Sequence, residues 1–456
     1  MNSQSSLKRD LGLFAAITIV VGNMIGSGVF GLPSALASVA TPSIILLAWT
    51  VVGIGAIIIA LSYANLSKAF PEAGGPVLYT QKAMGSFAGY AVCLVWWIAA
   101  VAGNAAIVDL VHTQLVVFLP QLSNPQAKLA ITMGFLWLFT YTNIRGVKLS
   151  GVISIVTTVF KSAVLVAVVC IALPYFTTDV FVSNEFSRQI ADESSIFGMF
   201  TVAMALVFWA YIGLESSTLA GGEIKNPQRN ITYSTIFGLM FVCIIYVIVS
   251  FSLMAILPSE QLATSSSPFA DAINKVTGTT VGGNIITVAI LISVVGTLSG
   301  WILASGRSVY AAGKDKFFLP IFAKIHSRYH TPHIALIASG VITSVFLLID
   351  FVLTVTDTQG GISAFINVTT VVSVISLPTY FITVIAEMLL LRRGIITGKR
   401  YVYVRVAIAA IVALGFMYMG VMGSQVPAVY WYATMAFFLV GLLLYPAAAK
   451  RTNREE

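Results

Sequence analysis

The chain has 456 residues, of which 58% are hydrophobic and only 9% charged, with a formal net charge of +8. A soluble domain carries about 25% charged residues, so a surface that faces water throughout is excluded. Apolar runs of roughly 20 residues recur from end to end, each long enough to cross about 30 Å of hydrocarbon, and only helices or a closed barrel satisfy the backbone there. The runs are too long and continuous for alternating barrel strands of roughly 10 residues. The composition therefore predicts an all-α integral membrane protein.

Twelve spans are predicted in chain order: 12–38, 43–67, 86–118, 127–145, 149–174, 196–222, 231–256, 281–312, 333–350, 361–391, 402–421 and 428–448. The first is too long for a signal-peptide core and reads as a retained helix. It is interrupted in mid-membrane by Gly22-Asn23-Met24-Ile25-Gly26-Ser27-Gly28. Glycines weaken a helix by about 1 kcal/mol each relative to alanine. A break there frees amide N–H groups at the start of a second half-helix, which suits a carboxylate. The same Gly22-xxx-Gly26 spacing also suits close helix packing.

The third span carries Trp96, Ala99 and Asn104 on a similar face, with Asp109 nearer its end. The fifth holds Lys161, too deep to reach water easily. It is expected to cross-link the broken first span to the eighth, as a gating or proton-linked group or as a fixed structural cation. The sixth span is interrupted at Trp209-Ala210-Tyr211-Ile212-Gly213-Leu214-Glu215. A break at Gly213 leaves the carbonyls of Trp209, Ala210 and Ile212 as acceptors for an ammonium group. Together the two breaks suit the zwitterionic end of an α-amino acid. Glu215 lies just beyond, and a buried carboxylate in a bundle is costly and usually functional; it is a candidate for gating or proton sensing. Trp301 in the eighth span could cap a solute, and Thr369 and Thr370 in the tenth are weaker lining candidates, with Glu387 a further intramembrane acid.

Broken helices at matching positions of two halves point to a transporter binding site. The first and sixth spans are five apart, as two inverted repeats require. The predicted organisation is one transmembrane domain over 1–456: a first repeat at 11–174, a second at 195–391, and two added helices at 402–448. The longest loops, 175–195, 257–280 and 313–332, are too short for an independent core. With the N-terminus in the cytoplasm, 21 of the 25 Lys and Arg fall on that side, and only Lys128, Arg188 and Lys275 fall outside. This bias supports cytoplasmic termini at both ends and accounts for the net charge without a nucleic-acid partner. Cys93, Cys170 and Cys243 lie apart in apolar runs and read as packing residues, and the four histidines do not cluster. No metal or cofactor site is expected.

Gly22-Asn23-Met24-Ile25-Gly26-Ser27-Gly28-Val29-Phe30-Gly31-Leu32-Pro33 resembles the first-helix signature of the amino acid–polyamine–organocation transporter superfamily. Phe208 to Ser216, followed by Glu223-Ile224-Lys225-Asn226-Pro227, resembles its sixth-helix signature. The resemblance is nearest to the basic amino acid/polyamine antiporters and covers nearly the whole chain. It implies a LeuT-like 5+5 inverted repeat with twelve helices, broken helices 1 and 6, and a homodimer formed through the last two.

It also implies substrate contacts at Asn23, Ile25, Gly26, Ser27, Gly28, Asn104, Trp209, Ala210, Ile212 and Trp301, with gating or proton-linked roles for Trp96, Lys161, Trp209 and Glu215. Two positions depart from the arginine–agmatine type: Trp96 replaces a gating tyrosine, and Lys161 is a feature of proton-coupled permeases and of neutral exchangers. There the lysine takes the place of a sodium ion. Arg307 to Asp315 is also similar to the general permeases. The implied function is sodium-independent secondary transport of basic or neutral amino acids across the cell membrane by alternating access, as an exchanger or a proton-coupled permease.

The alternatives are a transporter-fold sensor, which would bind without translocating, and a putrescine-type polyamine exchanger. A channel would need polar or charged rings along a pore, and an enzyme a clustered catalytic set. Neither pattern is present.

Overall fold

The computed structural model describes residues 9, 11–72, 74–145, 147–191, 195–314, 318–356, 361–424 and 426–445, with backbone alone described at 147–154, 186–191 and 361–364. The basic residues Lys8, Lys316, Lys450, Arg451 and Arg454 of the charge-bias reading lie outside the described residues, as do the side chains of Lys148 and Arg188 and positions 446–448 of the last predicted span.

The described residues are mostly helical. The first half contains α1 (Leu13–Met24), α2 (Ser27–Ala37), α3 (Pro42–Ala69), α4 (Gly75–Met84), α5 (Ser86–Phe118), α6 (Pro125–Arg145), α7 (Val147–Ala172) and α8 (Thr178–Ala191). Then follow α9 (Ile196–Tyr211), α10 (Ser216–Leu219), α11 (Pro227–Ile256), α12 (Ser259–Thr264), α13 (Pro268–Thr277) and α14 (Thr280–Lys314). The chain closes with α15 (His333–Thr356), α16 (Gly361–Arg392), α17 (Arg400–Met422) and α18 (Ala428–Leu443). Prolines open α3, α6, α11 and α13, where a missing N–H costs nothing because the first turn has no intrahelical partner for it.

Among the described residues ten helical segments are long and apolar enough to cross a membrane. They are α1 with α2, α3, α5, α7, α9 with α10, α11, α14, α15, α16 and α17. The protein is thus an all-helical, multi-pass membrane protein. Two of the twelve predicted spans fall outside this group: α18 is apolar but has only 16 residues, and α6 carries a lysine, an asparagine, an arginine and three threonines in 21 residues.

Both predicted interruptions are present. The first span stops at Met24 and restarts at Ser27, with Ile25 and Gly26 in non-helical conformations. The sixth stops at Tyr211 and restarts at Ser216. At the first break, packing and interruption coincide. A Cβ on Gly22 would sit 2.3 Å from Thr158 Oγ1 on α7, and one on Gly26 would sit 2.7 Å from Thr297 Cγ2 on α14.

Two features tie the bundle together away from the breaks. Lys128, counted on the outer side at the head of the fourth predicted span, is buried at the start of α6, with its Nζ 2.8 Å from Asp109 Oδ1 on α5 and 3.0 Å from Asp350 Oδ2 on α15. A buried ammonium needs such partners, and sequence position alone could not reveal them. Glu387 on α16 is likewise paired, with Arg405 of α17 and with Asn65. The segment before α1 makes a single β-type pairing: Leu11 N–H donates to Glu223 O at 3.0 Å, and Lys225 N–H donates back to Leu11 O at 2.8 Å. Leu11 also joins a small apolar cluster with Ala16, Ala220, Ile224 and Ile231.

Candidate functional site

A cavity with about 550 Å³ of atom-free space lies between the two breaks. The first break contributes Asn23, Met24, Gly26, Ser27 and Gly28; the second contributes Trp209, Ile212 and Glu215. Helix α5 adds Trp96, Ala99, Ala100, Gly103 and Ile107, α14 adds Thr297 and Trp301, and α16 adds Val372, Ser376, Thr379 and Tyr380.

The backbone makes this space possible. Helix α2 begins at Ser27 with no side chain capping its first turn, so its opening amides carry the unpaired donors of any helix N-terminus. The Ser27 hydroxyl is buried and has no partner. An unpaired buried hydroxyl costs about 1–3 kcal/mol, a penalty that a bound acceptor would remove. At the second break Gly213 has φ +109°, a conformation open to glycine, and a Cβ there would lie 3.3 Å from Asn23 Cβ and 3.4 Å from the Trp301 ring. Gly28 and Gly103 accommodate the Trp209 ring, whose atoms would stand 3.4 Å and 3.0 Å from a Cβ at each.

Side chains then cross-link the breaks. Asn23 Nδ2 donates to Ser216 Oγ at 2.8 Å, joining the first break to the second. Trp301 Nε1 donates to Asn23 O at 3.1 Å. Lys161 Nζ donates to Gly22 O at 2.5 Å and to Thr297 Oγ1 at 2.9 Å, the expected link between the first and eighth spans. Two helices, α5 and α16, reach Glu215 on the cavity wall. Trp96 Nε1 donates to its Oε1 at 3.0 Å, and the Tyr380 hydroxyl donates to its Oε2 at 2.8 Å. The Trp96 and Trp301 rings stack with centroids 6.3 Å apart.

Several expectations need correction. The carbonyls at the second break are not all open. Trp209 O accepts the Ile212 N–H at 3.3 Å, and Ala210 O lies 3.3 Å from the Tyr246 hydroxyl. Ala210, Ile25 and Asn104 do not line the cavity; Gly103 takes the lining position beside Asn104, whose buried Oδ1 is unpaired. Lys161 lies behind the first break rather than on the wall. On α16 the lining face is one to three turns beyond Thr369 and Thr370, and Thr369 Oγ1 bonds its own helix at Phe365 O. Tyr380, Thr379 and Ser376 were missed. They recur at the helical spacing of 3–4 residues along α16, a pattern that could have flagged them once Val372 faced the site.

A space between two interrupted helices in an apolar bundle is the arrangement of a membrane transporter's binding site. Residues 11–445 match the family model for amino acid permeases, and the chain belongs to that family; it is an amino acid transporter and not an enzyme. It is 28% identical to the arginine/ornithine antiporter of Pseudomonas aeruginosa over 355 residues, covering 77% of this chain and 73% of that protein. It is also 28% identical over 363 residues to the cadaverine/lysine antiporter of Escherichia coli strain K12, covering 78% of each. A Bacillus subtilis strain 168 chain, provisionally named an arginine/ornithine antiporter, is 29% identical over 472 residues and 98% of both chains.

Proposed function

We propose that the chain is a sodium-independent exchanger of basic amino acids that works by alternating access. The observation that carries this reading is the cavity wall. Among the described residues that line it, Glu215 is the one charged side chain, and no Lys, Arg or His is present. A solute with net positive charge complements such a wall, whereas an acidic amino acid would add a second negative charge. The names of the relatives agree with this choice of substrate.

In this reading the opening amides of α2 and the Ser27 hydroxyl receive the carboxylate, and the carbonyls near Ile212 receive the α-ammonium. Trp209 covers the solute, and the Trp96–Glu215–Tyr380 cluster closes one exit. Lys161 supplies the fixed charge that a sodium ion supplies elsewhere in the fold. Helices α6 and α18 complete twelve spans, arranged as inverted repeats at 11–174 and 195–391 with 402–448 outside them. Both termini face the cytoplasm of a cell that holds the protein in its plasma membrane, and two copies associate through α17 and α18.

Lys161 also favours a second reading, a proton-coupled permease, because a lysine held by neutral acceptors can exchange its proton. Reconstitution separates the two. Liposomes preloaded with arginine, ornithine, lysine or leucine should take up labelled arginine only when a basic amino acid is inside, with no effect of sodium. Uptake into empty liposomes driven by a proton gradient would instead establish the permease reading. Flux that never saturates, or that requires sodium, would defeat both.

A further inference from the structure

Helix α6 ends where α15 begins. The Thr331 hydroxyl, just before α15, donates to Ile144 O near the end of α6 at 2.6 Å. Because α15 is long and apolar enough to cross a membrane, this junction marks one edge of the apolar layer. Two arginines stand there. The Arg145 guanidinium lies 4.8 Å from the centre of the Tyr141 ring and 5.9 Å from that of Tyr329, and the Arg328 guanidinium lies 5.5 Å from the same Tyr329 ring. Both arginines are exposed, and among the described residues no carboxylate pairs with either. Stacking holds a guanidinium by its face and leaves its N–H edge free, the edge that takes phosphate oxygens in pairs.

The turn that carries Arg328 is closed on itself. His326 N–H donates to Thr331 O at 2.8 Å, and His330 N–H donates to His326 O at 2.9 Å. The backbone N–H groups of Arg328 and Tyr329 both donate to His326 Nδ1, at 3.1 and 3.3 Å. With Thr331 tied to α6, Arg328 is presented beside Arg145 before any ligand arrives, which lowers the cost of ordering on binding.

The outer face of α6 changes character in the order that a bilayer does. Leu138, Tyr141 and Arg145 recur at helical spacing and are all exposed. They run from an apolar side chain, through a tyrosine suited to the membrane–water boundary, to a charge. Neighbouring α15 exposes Ile337 and Val341 near its start. A headgroup held at the two arginines would therefore have apolar surface beside it for its acyl chains, a surface of no use to a free anion or an acidic peptide.

We propose that Arg145 and Arg328 form a binding site for the phosphate headgroup of an anionic phospholipid. Basic pockets between membrane helices suit such headgroups. The site lies away from the cavity and requires a membrane but no transported solute, so it stands or falls apart from the exchange reading. Helix α11 supplies an internal control. Arg229 is exposed and stacks on Tyr233 at 5.6 Å, and Tyr233 stacks on Phe237. That arginine has the same chemistry and a similar apolar stripe, but among the described residues no second guanidinium shares its ring.

Native mass spectrometry of the full chain in detergent, titrated with phosphatidylglycerol or phosphatidylcholine, tests the site. The wild type should hold phosphatidylglycerol at least about tenfold more tightly, as charge-assisted hydrogen bonds to a phosphate provide. Arg145→Gln combined with Arg328→Gln should abolish that preference, each single variant should reduce it, and Arg229→Gln should leave it intact. No preference in the wild type, a preference that survives the double variant, or an equal loss in Arg229→Gln would overturn the proposal. Competition tests the occupant. Neither inorganic phosphate nor a polyglutamate peptide should displace the lipid. Displacement by the first would make this a site for a free anion, and displacement by the second a site for an acidic protein segment, and either would overturn the lipid assignment.

Discussion

Two buried lysines meet their needs in opposite ways. Lys128 has two carboxylates, one from α5 and one from α15. Lys161 meets, among the described residues, only neutral acceptors: a backbone carbonyl at the first break and a hydroxyl on α14. Neutral acceptors satisfy an ammonium group while leaving its charge uncompensated. An ion pair compensates the charge and is strongly destabilised when one partner is lost. The first arrangement is a fastener between helices. The second sits where a helix is interrupted, and in the proposed transport cycle the Gly22 carbonyl it holds belongs to the element that moves. Burial alone does not tell these two lysines apart; the nature of their acceptors does.

This contrast can be broken at either end. The largest effect is expected from Lys128→Met. It leaves two carboxylates unpaired in the bundle and should destabilise the protein by about 3–5 kcal/mol, read as a lower thermal unfolding midpoint in detergent. Wild-type melting would mean that the cluster fastens nothing. Lys161→Met should cut exchange in liposomes at least about tenfold, because hydrogen bonds from a charged donor are worth about 1.5–3 kcal/mol each. Its melting point should fall less than that of Lys128→Met, and the reverse order would undo the distinction.

Gly28→Ala sharpens the picture of the site itself. The added methyl would stand 2.9 Å from Ala210 Cβ and 3.0 Å from its Cα, and overpacking of this kind costs about 1–3 kcal/mol. Arginine affinity should fall, whereas Gly134→Ala, where a Cβ meets nothing within 4 Å, should leave it unchanged. The smallest effect belongs to Trp96→Phe. It removes one donor from Glu215 but leaves the Tyr380 hydroxyl in place, so a several-fold change in exchange rate is expected. A complete loss would mean that the indole contacts the solute.

The breaks could be read from the sequence because glycine announces them. Gly26 in the first span and Gly213 in the sixth are residues whose conformational freedom has no use in an unbroken helix, and Gly28 lets the second half-helix approach Ala210 closely. The partners of Lys161 were also legible, since a deep ammonium must find acceptors and the first break supplies carbonyls. Tyr246, Tyr380 and Thr379 were not legible. An aromatic or a threonine in an apolar run satisfies the hydrophobic pattern equally well whether its oxygen meets a broken helix, a carboxylate or its own preceding turn. Lys128 hid its partners for a related reason. Its nearness to a span end suggested water, and its two aspartates come from 19 residues before it and 222 after it. The composition of α16 likewise gave no reason to prefer Ser376 over Thr370, because the rotation of a helix that is apolar nearly all round is set by its neighbours.

The pairing of Leu11 with Glu223 and Lys225 joins the leading end of the polypeptide to the stretch just past the second interruption. Whatever tugs on the first residues, a fused tag or a surface tether, is therefore transmitted to that stretch through two backbone bonds. A reporter attached at Gly12, next to the pairing, would register movement of that stretch.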